Sequence, residues 1–371
     1  MLEPHDEPAR MTERPMSQRQ EPANQALLDR MPVLDRFLPL WILLAMAGGL
    51  ALGRLFPALQ SSLDAVKMGQ TSLPIALGLL LMMYPVLAKV HYGELSHVGS
   101  DRKLMRLSLW FNWVLGPLLM FSLAWLFLPD LPGYRTGLIV IGLARCIAMV
   151  LIWNDLACGN REVATLLVAI NSVFQILAYA LLGTFYLRIL PTWLGLESQE
   201  VEFSTGEITK AVLIFLGIPL LAGALTRWLG MRFKGERWYE TRLLPRLSPW
   251  ALYGLLFTIV VMFALQGQAI MSNPVQVARV ALPLLLYFLI MWTLALVWSQ
   301  RAGLDYARST AVAFTAAGNN FELAIAVSIG VWGVTSQQAL AGVVGPLIEV
   351  PVLMALVYVS LWLKPRLWRS R

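Results

Sequence analysis

The sequence predicts an all-α integral membrane protein, with ten transmembrane helices arranged as two five-helix repeats of opposite orientation. Three observations predict it. Hydrophobic residues make up 58% of the 371-residue chain and charged residues 14%, against about 25% charged in a soluble domain. Ten long apolar stretches follow one another, each about the 20 residues needed to cross the hydrocarbon core. Those stretches hold only three ionisable side chains near their middles, Arg145, Glu322 and Glu349.

Residues 1–37 differ from the rest. They are rich in Glu, Pro, Gln and Arg without periodicity, which predicts a disordered cytosolic tail. The tail lacks the apolar core of a cleavable signal peptide, so the first span is expected to act as its own insertion signal. The predicted spans are 38–57, 71–89, 104–128, 137–158, 162–187, 207–229, 247–268, 278–300, 308–331 and 339–363. They divide the chain into a first repeat over 38–187, a second over 207–363 and a short cytosolic C-terminal tail over 364–371.

The basic residues orient these spans. Twenty-two Lys and Arg fall in the tails and in alternate loops on one side, and six (Arg54, Lys67, Arg135, Arg188, Lys210 and Arg279) fall on the other. Positive residues favour the cytoplasm, so both termini are expected inside, in a multi-pass protein of the cell membrane. Topology accounts for the net charge of +7, and nucleic-acid binding is not needed to explain it.

Each span of the second half starts about 169–177 residues after its counterpart in the first. Five spans per half is an odd number, so the second half must enter from the opposite face. That is the inverted repeat of many secondary transporters, whose binding sites lie where corresponding helices are interrupted. Spans four and nine are the candidates. Span four reads Ile141-Gly-Leu-Ala-Arg-Cys146, and span nine reads Ala316-Ala-Gly-Asn-Asn-Phe-Glu322. Gly318, Asn319 and Asn320 are poor residues for a helix interior. Their amides suit a helix that unwinds around a cavity, or, more plainly, polar contacts between helices.

A charge at mid-membrane costs at least about 2.5–3.5 kcal/mol, so each of the three needs a partner or a task. Arg145 is followed by Cys146, and a thiol beside a cationic side chain is the pairing that reactive cysteines use. The plain alternative for Cys146 is a small packing residue. Glu322 is placed to load and release a proton, as intramembrane carboxyls do in pumps and transporters; its structural alternative is an ion pair with Arg145. Glu349 lies between Pro346 and Pro351, where a structural and a coupling role are equally open. Trp153, Asn154 and Asp155 close span four, as a cap or a gate. Cys158 lies twelve residues after Cys146, roughly 18 Å along a straight helix, too far for a disulfide, and is read as incidental.

Absences narrow the classes. His5, His91 and His97 all fall in predicted cytosolic segments. No His-Glu-x-x-His and no phosphate-binding Gly-x-x-x-x-Gly-Lys loop occurs. An enzyme is not indicated, and neither a metal site nor a cofactor is expected. Energy must come from an ion gradient, a potential, or a separate soluble ATPase subunit.

Gly142-Leu-Ala-Arg-Cys-Ile-Ala-Met-Val150, with Trp153-Asn-Asp-Leu-Ala157, resembles span four of the Acr3 arsenite efflux family. Ala316-Ala-Gly-Asn-Asn-Phe-Glu-Leu-Ala-Ile-Ala326 and Gln338-Ala-Leu-Ala-Gly-Val-Val-Gly-Pro-Leu-Ile-Glu-Val-Pro-Val352 resemble its spans nine and ten. The resemblance covers about residues 33–365. It implies the ten-span fold of the bile acid/arsenite transporter superfamily, with a panel domain, a core domain, and broken helices four and nine crossing in the core. It also implies export of trivalent arsenite coupled to proton entry, with the family's essential cysteine at Cys146 and its essential glutamate at Glu322. Some members handle antimonite.

The chemistry agrees with that implication. Arsenite near neutral pH is mostly uncharged and needs no counter-ion. Its soft arsenic centre exchanges hydroxide for thiolate, and one thiol gives reversible capture where three would trap it. Asn319 and Asn320 can hydrogen-bond the remaining hydroxyls, with Arg145 beside them. The competing expectation is a sodium-coupled organic anion transporter on the same fold, served by Asn319, Asn320 and Glu322. Cys146 discriminates, because sodium prefers hard oxygen ligands and arsenic prefers sulfur.

Overall fold

The computed structural model describes residues 37–56, 67–68, 71–90, 101–147, 149–196 and 204–368. The N-terminal tail up to residue 36, the loop holding His91 and His97, Ser198 and the last three residues lie outside them. In chain order the helices are α1 (Leu38–Leu55), α2 (Leu73–Ala88), α3 (Arg102–Phe127), α4 (Pro132–Leu143), α5 (Met149–Leu156) and α6 (Arg161–Trp193). They continue with α7 (Thr205–Lys234), α8 (Leu244–Ser272), α9 (Pro274–Arg301), α10 (Tyr306–Ala317), α11 (Phe321–Trp332) and α12 (Gln337–Leu367). The strand pairing among the described residues is a two-residue antiparallel ladder between α1 and α2, Lys67–Met68 with Thr71–Ser72.

Six of these helices, α3, α6, α7, α8, α9 and α12, are long and apolar enough to cross a membrane, and α1, α2 and α11 are shorter apolar helices. The chain is a multi-pass membrane protein. Each predicted apolar stretch contains helix, but the ends differ from expectation. α4 begins at Pro132 rather than at 137, because proline at the first helical position lacks only an N–H that would be unpaired there. α7 runs on to Lys234, past the predicted end at 229, because Arg232 and Lys234 can extend their heads to water while the backbone stays helical.

Prolines shape the long helices in a regular way. Wide, π-helical turns occur at Phe111–Leu115, Phe185–Ile189, Leu213–Gly217 and Tyr239–Leu243. Pro117, Pro191, Pro219 and Pro245 each follow two residues after such a turn. A proline in a helix has no N–H and clashes with the carbonyl four residues back. One extra residue per turn relieves that conflict without ending the helix.

Packing joins α2 to α7 and α8, and α3 through α6 to α9 through α12, while α1 lies against α8. α2 packs on both α7 and α8, α9 packs on α10, α12 and α3, and α4 packs on α3 and α12. The two groups meet unevenly along α7. Its Thr205–Gly217 half packs against α6 and α11, and the Thr184 and Thr205 hydroxyls share a hydrogen bond of 2.7 Å. Its Ile218–Lys234 half packs mainly against α2 and the turn leading into α8. Gln266 of α8 donates to the Val334 carbonyl after α11, at 2.6 Å. The turn between α3 and α4 is tied to α9 by Arg279, whose Nη1 lies 2.8 Å from Asp130 and holds that carboxyl down to about 2.

α1 meets α8 through Gly49 and Gly53, four residues apart on one face. A Cβ at either would run into a backbone carbonyl, of Val260 or of Ala264, whereas Gly48 faces open space. Small residues at this spacing let membrane helices approach closely. Gly49→Val and Gly53→Val should therefore each destabilise the protein by about 1–3 kcal/mol, read as a lower melting temperature in detergent, while Gly48→Val should leave it unchanged.

Candidate functional site at the crossing of two interrupted helices

The predicted interruptions are present and they meet. Helix α4 stops at Leu143, after which Ala144 is extended (φ −86°, ψ 114°). Helix α10 stops at Ala317, after which Gly318 is extended (φ −69°, ψ 141°). The two short extended segments run antiparallel, with Arg145 paired to Asn319. The Cys146 N–H donates to the Gly318 carbonyl at 3.3 Å, and the Asn320 N–H donates to the Ala144 carbonyl at 3.0 Å. Only glycine fits at 318, where a Cβ would lie 2.9 Å from that of Cys146. Unpaired backbone groups are costly away from water, and each break satisfies part of the other.

Side chains complete the pairing. Asn319 Nδ2 donates to the carbonyls of Ile141 at 2.9 Å and Ala144 at 3.2 Å. Asn320 caps α11, its Oδ1 accepting from the Leu323 N–H at 2.9 Å. Arg145 is fully buried. Its guanidinium donates to the Gly142 carbonyl, to the Ala316 carbonyl at 3.5 Å and to the Tyr287 hydroxyl at 2.8 Å. Gly142 and Ala316 sit in the last turns of α4 and α10, so one cation serves the negative ends of two helix dipoles. The Arg145 N–H donates to Gln175 Oε1 of α6 at 2.9 Å.

The structure thus brings Arg145, Cys146, Asn319 and Asn320 together. Cys146 is buried and in no disulfide. It lies on the extended segment after α4 and not on a regular helix. Glu322 stands in the first turn of α11, half-buried. The Arg145–Glu322 ion pair weighed from the sequence does not form, because the guanidinium is turned to the helix-end carbonyls. Glu349 is buried in α12, which stays helical through Pro346 and Pro351. Its carboxyl interacts with the Asn319 backbone N–H and lies within electrostatic range of Glu322.

Farther along the same chain segments, Asp155 pairs with Arg161 at 3.3 Å and the Asn154 carbonyl accepts from Gly159 at 2.8 Å. These contacts close α5 and favour the cap reading of that pair. Cys158 follows with a left-handed backbone (φ 56°), also outside any disulfide. An apolar groove of about 400 Å³ between α1 and α12, lined by Ile42, Met46, Leu347 and Met354 among others, offers no chemistry. Among the described residues no cluster of His, Cys, Asp and Glu could hold a metal ion.

Residues 76–273 match the Sodium Bile acid symporter family. The arsenical-resistance protein Acr3 of Corynebacterium glutamicum is 58% identical over 339 residues, covering 91% of this chain and 92% of that protein. The chain belongs to the Acr3 family. The arsenical-resistance protein Acr3 of Alkaliphilus metalliredigens is 30% identical over 336 residues (88% of this chain, 92% of that protein). An uncharacterized transporter of Synechocystis is 35% identical over 344 residues (88% of each). Acr3 proteins are transporters, and this chain is one of them rather than an enzyme.

Gln175 and Tyr287 were not singled out from the sequence, because a charge census passes over neutral polar groups. A signal existed. Asn171 and Gln175 lie four residues apart in an apolar span, on one helical face, and both are buried. Asn171 accepts from Trp113 Nε1 at 3.2 Å and faces Asn112, so the stripe continues toward α3.

The role of Arg145 as a double helix-end cap can be tested by stability. Arg145→Lys supplies a point charge that cannot bridge two carbonyls and a hydroxyl. It should cost about 1.5–3 kcal/mol, the scale of one hydrogen bond to a charged group, seen as a lower melting temperature in detergent. Tyr287→Phe, which removes one partner of three, should cost less.

Proposed function

We propose that this chain exports trivalent arsenite from the cytosol by proton antiport, with Cys146 binding arsenic and Glu322 carrying the coupling proton. The observation that carries the reading is the place of Cys146: a buried thiol on the peptide segment where the two interrupted helices pair. Membership of the Acr3 family supports the substrate. The ten spans form two inverted repeats, 38–187 and 207–363, with the tails 1–37 and 364–371 cytosolic. The group α1, α2, α7 and α8 is the panel, and the remaining helices are the core.

Capture is a ligand exchange. The Cys146 thiol replaces one hydroxyl of neutral arsenous acid; an As–S bond forms, an As–O bond breaks, and the thiol proton leaves with the hydroxyl as water. Asn319 and Asn320 hold the remaining hydroxyls, and Arg145 fixes the frame that presents them. Release is the reverse, with water restoring the third hydroxyl and the proton returning to sulfur. Glu322 takes a proton from outside and discharges it inside, so that arsenite leaves as a proton enters. Glu349, beside Asn319, is the second coupling carboxyl. Antimonite shares the trivalent, thiol-seeking chemistry and is the second substrate to test.

With Thr205 at the outer face, the closely packed half of α7 is the outer half. The Ile218–Lys234 half, which packs mainly on α2, then lies toward the cytosol, the side from which an exporter loads. A sodium-coupled organic anion transporter is the alternative, supported by the match to the Sodium Bile acid symporter family and by the hard oxygen atoms of Asn319, Glu322 and Glu349. Uptake of arsenite by everted vesicles under a pH gradient, against a sodium gradient, separates the two.

Cys146→Ser should abolish that uptake at unchanged protein level, and Cys158→Ser should be nearly silent; full arsenite resistance in cells carrying Cys146→Ser would remove the thiol from the mechanism. Glu322→Gln mimics the loaded carboxyl permanently, so pH-driven transport should be lost while arsenite binding persists, and Glu322→Asp should retain part of the activity. Normal proton-driven transport by Glu322→Gln would move coupling to Glu349. For sidedness, single cysteines at Ser198 and Gly235 in a background lacking Cys146 and Cys158 should label from outside and only after permeabilisation, respectively. The opposite pattern would reverse the direction of transport.

A further inference from the structure

Three side-chain amides meet at the helix crossing, and in each a backbone group dictates which end points where. The Arg145 N–H is a donor, so the Gln175 atom it meets at 2.9 Å must be the oxygen. The Leu323 N–H likewise fixes Asn320 Oδ1. The Ile141 and Ala144 carbonyls are acceptors, so they must face Asn319 Nδ2. The usual ambiguity of amide orientation is absent here. The opposite end of each amide is therefore determined as well. Gln175 presents Nε2, Asn320 presents Nδ2 and Asn319 presents Oδ1; all three atoms are buried and hydrogen-bonded to no protein atom, as is Glu349 Oε1. Buried polar atoms are paired in nearly all native proteins, and four of them around one thiol-bearing crossing call for a polar occupant.

Two of the four are donors and two are acceptors. Arsenous acid bound to Cys146 has exchanged one hydroxyl for sulfur and lost it as water. Two hydroxyls remain, each able to give one hydrogen bond and accept one. Two donors and two acceptors are enough for that demand. Arg145 Nε is the other open donor at the crossing, on a guanidinium already anchored to Gly142, Ala316 and Tyr287. We propose that Gln175 is a specificity-determining residue: its Nε2 donates to a hydroxyl of the captured arsenic, while its Oε1 holds the Arg145 peptide that precedes Cys146. The inference rests on thiol capture at Cys146 and adds a recognition residue to it. Gln175 joins the substrate site to α6, a helix that supplies none of the other residues in that site.

Phenylarsenous acid provides the comparison, because after the same exchange it keeps one hydroxyl instead of two. Binding of arsenite and of phenylarsenous acid is measured by equilibrium dialysis of the purified protein in the Cys158→Ser background at pH 8. Gln175→Glu keeps an acceptor for the Arg145 N–H and removes the donor while it is ionised, which repeating the measurement at rising pH verifies, because a buried carboxyl that holds a proton is itself a donor; Gln175→Leu removes both. The expected result is an arsenite dissociation constant raised about tenfold in Gln175→Glu, the weight of one hydrogen bond, with phenylarsenous acid affected less than about threefold. Equal weakening of both ligands in Gln175→Glu would make Gln175 a purely structural support and overturn the inference, leaving capture by Cys146 standing. Unchanged arsenite binding in Gln175→Glu would overturn it too. Should Gln175→Leu fail to fold, Gln175→Glu decides alone. Absence of arsenite binding in the parent protein, or binding that survives Cys146→Ser, would instead defeat the thiol-capture reading itself.

Discussion

The rest of the site depends on how the protein satisfies backbone groups where two helices stop inside the membrane. A helix that ends there leaves carbonyls and N–H groups without partners, and hydrocarbon supplies none. Here the two breaks pair with one another through Arg145 and Asn319. One guanidinium then reaches the last turns of both α4 and α10. One of the three mid-membrane charges is thus matched to two helix ends that need a cation. It also explains why Arg145 is the single basic residue left in the middle of a span.

That arrangement leaves a chemical surplus. Asn319, Asn320 and Gln175 each spend one end on the backbone, and the other ends remain open. Rigid amides whose orientation is set by the backbone are pre-organised, which lowers the entropy lost when a small solute binds. A neutral polyhydroxylated solute suits such a site, because it brings hydroxyl groups and no charge to be desolvated. One soft sulfur among hard oxygens and nitrogens adds the element of choice.

Much of this was legible in the sequence, for physical reasons that can be named. Hydropathy marks apolar stretches because the bilayer permits so few alternatives, and Gly318-Asn319-Asn320 marks a break because those residues are poor in helix and good at capping. The helix ends were less legible: Arg232 and Lys234 end a hydropathy window but not a helix. The ion pair of Arg145 with Glu322, weighed as the alternative to proton loading, does not form for a different reason. Opposite charges invite pairing on paper, but Glu322 stands in the first turn of α11 while the guanidinium is turned toward the last turns of α4 and α10. Gln175 was missed because nothing in a list of charges points to a neutral amide thirty residues away from the peptide it holds.

The uneven packing along α7 gives the crossing a mechanical setting. α11 belongs to the broken helix whose far half touches the Thr205–Gly217 part of α7, whereas α5 packs on α6, α10 and α12. The two half-helices are thus not equivalent with respect to α7, although the crossing itself treats them alike. At that end the Thr184–Thr205 hydrogen bond ties α6 to α7, and the Gln266–Val334 hydrogen bond ties α8 to the turn after α11. The crossing, by contrast, is held by a network that includes a buried cation and backbone pairing on both strands. The pairing fixes the Cys146 backbone against Gly318, so the position of the thiol follows from the two helix breaks themselves.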